Sequence, residues 1–408
     1  MSQRRHLVNK DIRPDVQLIC HRLQKKDSTL AGLDLSQDGL TVPEAIELLK
    51  AVQTNEHVRT LNLGGNKRLG DDSSFISTLE TLIKSNQNLE KIILSSINMG
   101  ITGGAALGRA LGQNAALSVV VLSSNPIKPM GLSAIGRSLH NNTSIRRLEL
   151  DSIGLGDSGW SAIAGALEVN ETLEELYLRG NRMGQIGADI ISRSLRTNTA
   201  LRLLDLENNL LGDQGTRFFA DAMRENTTLR ILAIGNNQIG TTGLMAIGQA
   251  LAVNTGLREL DLDCNDIGEV GWSSIGVALG KNKTLLELFL RDNDMDDAGC
   301  ASIARGVSTN TTLEVLDMSH NQIGDAGCTS MAQAMAKNTR LRKLYLHANL
   351  IQNAGILALA RELNGNTTLE ELHLRNNDFT NHDYGRQKIR VWSDPDKDNK
   401  EEEQGEAN

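Results

Sequence analysis

The residues of this chain with most capacity for chemistry fall at matched places in a repeated phrase. From residue 145 onward, the third, fifth and seventh positions of nine copies hold eleven acids and five Lys or Arg. The acids are Glu149, Asp151, Glu175, Asp205, Glu207, Glu259, Asp261, Asp263, Glu287, Asp317 and Glu371. Such a row could steer and orient a basic partner. The fifth position also takes Tyr177, Phe289 and Tyr345, although the whole chain has only eleven Phe, Trp and Tyr. Aromatics among charges suit an interaction face, the rings giving buried area and the charges giving register. The candidate partner-binding residues are therefore Glu149, Tyr177, Asp205, Glu207, Glu259, Asp261, Asp263, Phe289, Asp317, Tyr345, His347 and His373, and the expected partner is a protein with a basic surface. The competing reading is a solvated sheet kept soluble by its charge. Ile93, Val119 and Val121, set among Ser95, Ser96, Ser123 and Ser124, form a second, apolar candidate or a cover for the chain's beginning.

Other reactive side chains are better explained by the repeat. His320, His347 and His373 fall on successive copies near Asp317, a possible metal set, but histidines at a variable surface position are commoner without one. Trp160, Trp272, Cys300 and Cys328 share one position, which favours packing over cofactor binding. The stretch GKNKT at Gly280 falls short of a phosphate loop, and neither HExxH nor GxSxG occurs. No catalytic residue, metal or cofactor is expected. One copy is longer than the rest, by three residues in GGNKRLGDDSS, and places Lys67 and Arg68 on a loop rim. That loop is either a tolerated insertion or a carrier for Arg68 to act in trans on a GTPase, as an arginine finger would.

The phrase that positions these groups is Leu-x-x-Leu-x-Leu-x-x-Asn-x-Ile-Gly. It starts thirteen times, at residues 30, 58, 89 and then every 28 residues to 369. A fixed period in this range marks a solenoid. The apolar first, fourth and sixth positions alternate as in a strand with one buried face. Stretches such as GLMAIGQALAVN follow, where Met245, Ile247, Ala250 and Leu251 supply a helical stripe. Strands about 4.8 Å apart and helices roughly 8 to 10 Å apart force a bend of about 20 to 25° per copy. A horseshoe follows, strands inside and helices outside.

Two asparagine columns belong to the scaffold. At the ninth position, Asn66, Asn125, Asn181 and their successors would satisfy buried backbone groups of the turn. Ile97 and Ile153 interrupt that ladder. Three residues before each phrase but the first, which has Asp27, stands another asparagine, and six of these, including Asn170, Asn226, Asn282 and Asn310, fall in Asn-x-Ser/Thr triplets. These are read as helix-ending residues in left-handed backbone and not as glycosylation sites.

Residues 1–29 are read as an N-terminal capping helix with Val16, Ile19, Cys20 and Leu23 inward, 30–380 as the repeats, 381–392 as a C-terminal cap, and 393–408 as an acidic disordered tail. The formal charge is −8, of which the last sixteen residues carry −5. A body so near neutral, without a basic stripe, argues against nucleic-acid binding. No apolar run reaches the length of a signal sequence or a membrane span, and the four cysteines lack metal-ligand spacing. A cytoplasmic or nuclear monomer is expected.

The phrase, followed by GxxAIxxALxxNxTL, resembles the ribonuclease-inhibitor-like subclass of leucine-rich repeat proteins over about residues 15 to 380. The resemblance implies an α/β leucine-rich repeat solenoid, a right-handed horseshoe with a parallel inner sheet, outer helices and about thirteen repeats. Its members include ribonuclease inhibitor, the sensing regions of nucleotide-binding immune receptors, tropomodulin-like actin regulators and the activating protein of the Ran GTPase. Uniform units with four cysteines depart from the first, and the lack of GxxxxGK[ST] departs from the second. The Ran activator shares an acidic segment after its repeats but has irregular repeats and a longer tail. The function implied is a non-catalytic protein-interaction scaffold, with regulation of a small GTPase as the alternative.

Overall fold

The computed structural model describes residues 15–379, in two compact units that divide after Leu210. The first unit alternates helices α1 (Val16–Gln24), α2 (Val42–Gln53), α3 (Ser73–Ser85), α4 (Ile101–Leu111), α5 (Lys128–Leu139), α6 (Gly156–Leu167) and α7 (Gln185–Thr197) with seven strands. These strands are β1 (Gly32–Asp34), β2 (Thr60–Asn62), β3 (Lys91–Ile93), β4 (Val119–Val121), β5 (Arg147–Glu149), β6 (Glu175–Tyr177) and β7 (Leu203–Asp205). The second unit has helices α8 (Gly212–Glu225), α9 (Thr241–Leu251), α10 (Glu269–Lys281), α11 (Asp297–Val307), α12 (Asp325–Met335) and α13 (Asn353–Glu362). Its strands are β8 (Ile231–Ala233), β9 (Glu259–Asp261), β10 (Glu287–Phe289), β11 (Val315–Asp317), β12 (Lys343–Tyr345) and β13 (Glu371–His373). Within each unit every strand pairs in parallel with the next, like positions side by side, as in Glu287 opposite Val315 and Phe289 opposite Asp317. This is the α/β leucine-rich repeat architecture expected from the phrase.

Each strand is only three residues long, with its central side chain buried; the outer two are exposed in β1 and half-buried or buried in the strands that follow. The central leucines meet the helix layer, where small residues permit close approach. A Cβ at Gly108 of α4 would lie 2.5 Å from the backbone of Ala134, and one at Gly276 of α10 would lie 2.1 Å from the Ser302 carbonyl. The stripe of α9 is Leu244, Ile247, Ala250 and Leu251, with Gly243 and Gly248 buried beside it; Met245, expected in it, is only half-buried. In α1, Val16, Cys20 and Leu23 are buried as expected, and Ile19 is half-exposed. The C-terminal cap of 381–392 and the acidic tail lie outside the described residues.

The ninth-position asparagines are buried and bridge adjacent repeats. Asn66 donates through Nδ2 to the carbonyls of Leu35 and Leu63 at 2.9 and 2.8 Å, and its Oδ1 accepts from the Leu40 amide at 2.9 Å. Where Ile97 stands, the following Asn125 accepts from the Ile97 and Met99 amides, while the Gly70 amide of the long repeat donates to the Ile97 carbonyl at 2.8 Å. The insertion is thus anchored, with Leu69 fully buried.

The helix-end asparagines correct the expectation. Asn86, Asn198, Asn226 and Asn282 have φ between −84 and −65°, which is extended and not left-handed backbone. They are asparagine because of their side chains. Asn282 donates to the carbonyls of Leu251 and Asn254 and accepts from the amides of Thr284 and Leu285, all four bonds between 2.7 and 3.1 Å. Such buried, fully used amides are closed to glycosylation. The left-handed residue of each repeat is instead the one before the inner asparagine, as in Ser124, Asn236, Cys264, His320 and Ala348, with φ from +50 to +60°.

Several helix starts are capped from the preceding repeat. Asp213 Oδ1 accepts from the amides of Gly240 and Gly243, Asp297 Oδ1 from Gly324 and Gly327, and Asp325 Oδ1 from Gln352 and Gly355, all at 2.7 to 2.9 Å. Burial would raise the Asp213 carboxyl, but bonds from Thr242, Gly243 and Gly240 outweigh it and hold the group below its usual range.

Candidate functional site

The twelve candidate residues divide between the units. Glu149, Tyr177, Asp205 and Glu207 lie in the first, at the ends of β5 to β7, and each is already engaged. Arg147 bridges Glu149 at 2.7 Å and Glu175 at 2.9 Å, while its guanidinium sits 4.4 Å over the Tyr177 ring. The Tyr177 hydroxyl donates to Glu175 at 3.2 Å, and burial lifts its pKa to about 12. Arg179 reaches Asp205 at 2.5 Å and Glu207 at 3.2 Å, and Asp205 is only 2% exposed.

In the second unit the parallel register sets Glu259 beside Glu287 and Asp261 beside Phe289. Glu259 is raised by burial, then by the charges of Glu287 and Asp261. Asp263 is pushed up to about 7, first by burial and then by Asp261, although the Arg291 amide donates to it at 2.7 Å. The Arg291 guanidinium stands off at 4.0 Å from that carboxylate, and its Nε is buried without a hydrogen-bond partner. Phe289 is half-buried between Asp261 and Asp317. Asp317 is 8% exposed and accepts from the Ser319 amide and hydroxyl at 2.9 and 2.6 Å.

Beyond Asp317 the face becomes aromatic. Tyr345 stacks on His373 with centroids 4.5 Å apart, and lies 6.4 Å from His347, which meets His320 edge-on at 5.3 Å. Lys343 and the Tyr345 hydroxyl hold Glu371 at 2.9 and 3.3 Å. Burial lowers the pKa of His347 against the pull of Asp317, so the neutral ring is favoured, and its Nδ1 is buried without a hydrogen-bond partner. Among the described residues, no group of His, Cys, Asp or Glu is arranged to hold a metal ion.

Arg147, Arg179 and Arg291 were not singled out from the sequence. Their signal was present, since each occupies a strand-face position one repeat from an acid, but a count of charges does not say which are paired. Elsewhere, Ile93 and Val119 are half-buried and Val121 is 7% exposed on adjoining strands. Lys67 and Arg68 are exposed on the long loop. Trp160, Trp272, Cys300 and Cys328 are buried between neighbouring helices, and the two thiols donate to the carbonyls of Gly327 and Gly355. No described helix is long and apolar enough to cross a membrane.

A family profile described as Leucine Rich repeat matches residues 54–73, 169–191, 225–248, 253–276, 281–304, 309–332 and 365–381. Multiple stretches of the chain thus match a leucine-rich repeat, a fold that generally serves as a non-enzymatic protein-interaction scaffold. A structure of the yeast Rad7 and Elc1 complex is similar over 83% of this chain and 90% of that one, at 13% identity and a TM-score of 0.52. An internalin from Listeria monocytogenes is similar over 90% of this chain and 88% of that one, at 17% identity and a TM-score of 0.46. No curated protein matches the chain in sequence.

Proposed function

We propose that this ribonuclease-inhibitor-like array is a non-catalytic scaffold whose second unit captures a basic protein segment on the strand face from β9 to β13. The supporting observation is the contrast in charge pairing on that face. The first unit's Glu149, Glu175, Asp205 and Glu207 meet Arg147 or Arg179 within hydrogen-bond distance, whereas Glu259 is raised by burial with Glu287 and Asp261 beside it, and Asp263 by burial with Asp261 and Asp317 nearby. A lysine or arginine from a partner would relieve that repulsion, and desolvated cation pairing of this kind orients an incoming chain. Phe289, Tyr345 and His373 then offer the adjoining ring surface that anchors such interfaces.

A photo-crosslinking residue placed at Phe289 or Tyr345 should give one salt-sensitive adduct in cells. The same residue at Val277, 56% exposed on α10, should not. Equal labelling from all three positions, or an adduct indifferent to Asp261→Asn with Glu259→Gln, would remove this reading.

A further inference from the structure

On β5 and β6 one arginine gathers its neighbours around it. Arg147, at the third position of its repeat, bridges Glu149 of its own strand at 2.7 Å and Glu175 of the next at 2.9 Å, with its guanidinium 4.4 Å over the Tyr177 ring. One group thus holds two carboxylates while its plane covers an aromatic face. That combination suits the flat, forked guanidinium and not a point-like ammonium. At the same third position of β12, Lys343 meets Glu371 of β13 at 2.9 Å.

The register sets a matching group of partners on β9 and β10. Asp261 stands where Glu149 does, Glu287 where Glu175 does, and Phe289 where Tyr177 does. What changes is the cation's own place, which holds Glu259. Among the described residues, Glu259 and Glu287 pair with no basic group, and no cation stands over Phe289. Arg291, the one basic residue these two strands turn to this face, lies at the seventh position and stands off at 4.0 Å from Asp263. Burial and the charges of Glu287 and Asp261 raise the Glu259 carboxyl, the behaviour of an acid without a counter-ion. Glu259, Asp261, Glu287 and Phe289 are only half-buried, so a group from outside can reach them.

We propose that this place receives an arginine side chain of the partner protein, its guanidinium lying over Phe289 between Glu259 and Glu287, with Asp261 alongside. The inference rests on the scaffold reading above for the source of the arginine, and it names the residue by which that partner is held. The Arg147 cluster shows that two adjoining strands with this residue pattern accommodate a guanidinium. On β9 and β10 the place of Arg147 contributes a further carboxylate, so the cation has to come from elsewhere. Arginine is favoured over lysine because the fork can bond both glutamates while its plane stays against the ring. The ring adds attraction for a cation within roughly 6 Å of its face.

The test is fluorine NMR of the full chain with its five phenylalanines replaced by 4-fluorophenylalanine, the Phe289 signal being assigned through Phe289→Leu. The probes are Nα-acetylarginine amide and the corresponding lysine and citrulline amides. The Phe289 signal should shift saturably with the arginine probe, about tenfold more weakly with lysine, and not with uncharged citrulline. Glu287→Gln should weaken the arginine response about tenfold. Glu259→Arg should supply the guanidinium from within, shifting the Phe289 signal in the same direction without any probe and removing the response to added arginine. No saturable shift with arginine, equal binding of lysine or citrulline, or an undiminished arginine response in Glu259→Arg overturns the proposal. The crosslinks at Phe289 and Tyr345 are read separately, so this site can fail while the scaffold reading stands, and the reverse.

Discussion

At the scale of single residues, the repeat stores strain at one fixed point. The residue before each inner asparagine has positive φ, and few copies place glycine there. Asparagine at Asn208, Asn236 and Asn376 tolerates this backbone, but Ala348, at φ +53°, has neither a flexible backbone nor a side-chain bond to offer in return. Left-handed backbone costs an L residue roughly 1 to 2 kcal/mol, and glycine's extra chain entropy costs about 0.5 to 1 kcal/mol. Ala348→Gly should therefore raise the unfolding free energy by about 0.5 to 1 kcal/mol, read from urea denaturation. The sequence misled at this scale. Asparagine at a helix end suggests left-handed backbone by type alone, whereas Asn282 is there to make four bonds whose partners lie up to thirty-one residues away.

At the scale of elements, the strands were legible because their apolar period repeats thirteen times, and the face they present follows from alternation. What lay beyond reading was which charges on that face satisfy one another. Arg179 and Arg291 share a repeat position and both adjoin aspartates, yet one reaches its carboxylate at 2.5 Å and the other stops at 4.0 Å. Side-chain packing decides this, and a column alignment carries none of it. Asp263 registers the outcome. Its folded pKa of about 7 lies above that of an unfolded aspartate, so the folded chain keeps the proton to higher pH. The resulting stability is present in full below about pH 4 and is lost as the pH rises through about 7. Relative to wild type, Asp263→Asn should be more stable at pH 8 than at pH 5 in urea titrations; an equal difference at both would mean the carboxyl titrates normally.

At the scale of the whole molecule, each repeat bonds chiefly to its neighbours, so perturbations should stay local. Asn282→Ala leaves two carbonyls and two amides unpaired, each buried group costing about 1 to 3 kcal/mol. Hydrogen exchange should quicken in the repeats that contribute Leu251, Asn254 and Leu285 and fade within one or two repeats on either side; uniform acceleration across the chain would show concerted unfolding instead. The asparagine columns carry one more consequence, for how such a chain can grow or shrink. Because each amide reaches twenty-six to thirty-four residues back to a like position, a gain or loss of one whole period finds every acceptor again, and a fractional one orphans them all. Length in this lineage should change by whole periods. The 31-residue copy escapes because Asn86 still reaches the carbonyls of Val52 and Asn55 across it, while the Gly70 amide makes a bond of its own to the Ile97 carbonyl. A repeat is thus the smallest piece of text that this protein can copy or delete without misspelling its neighbours.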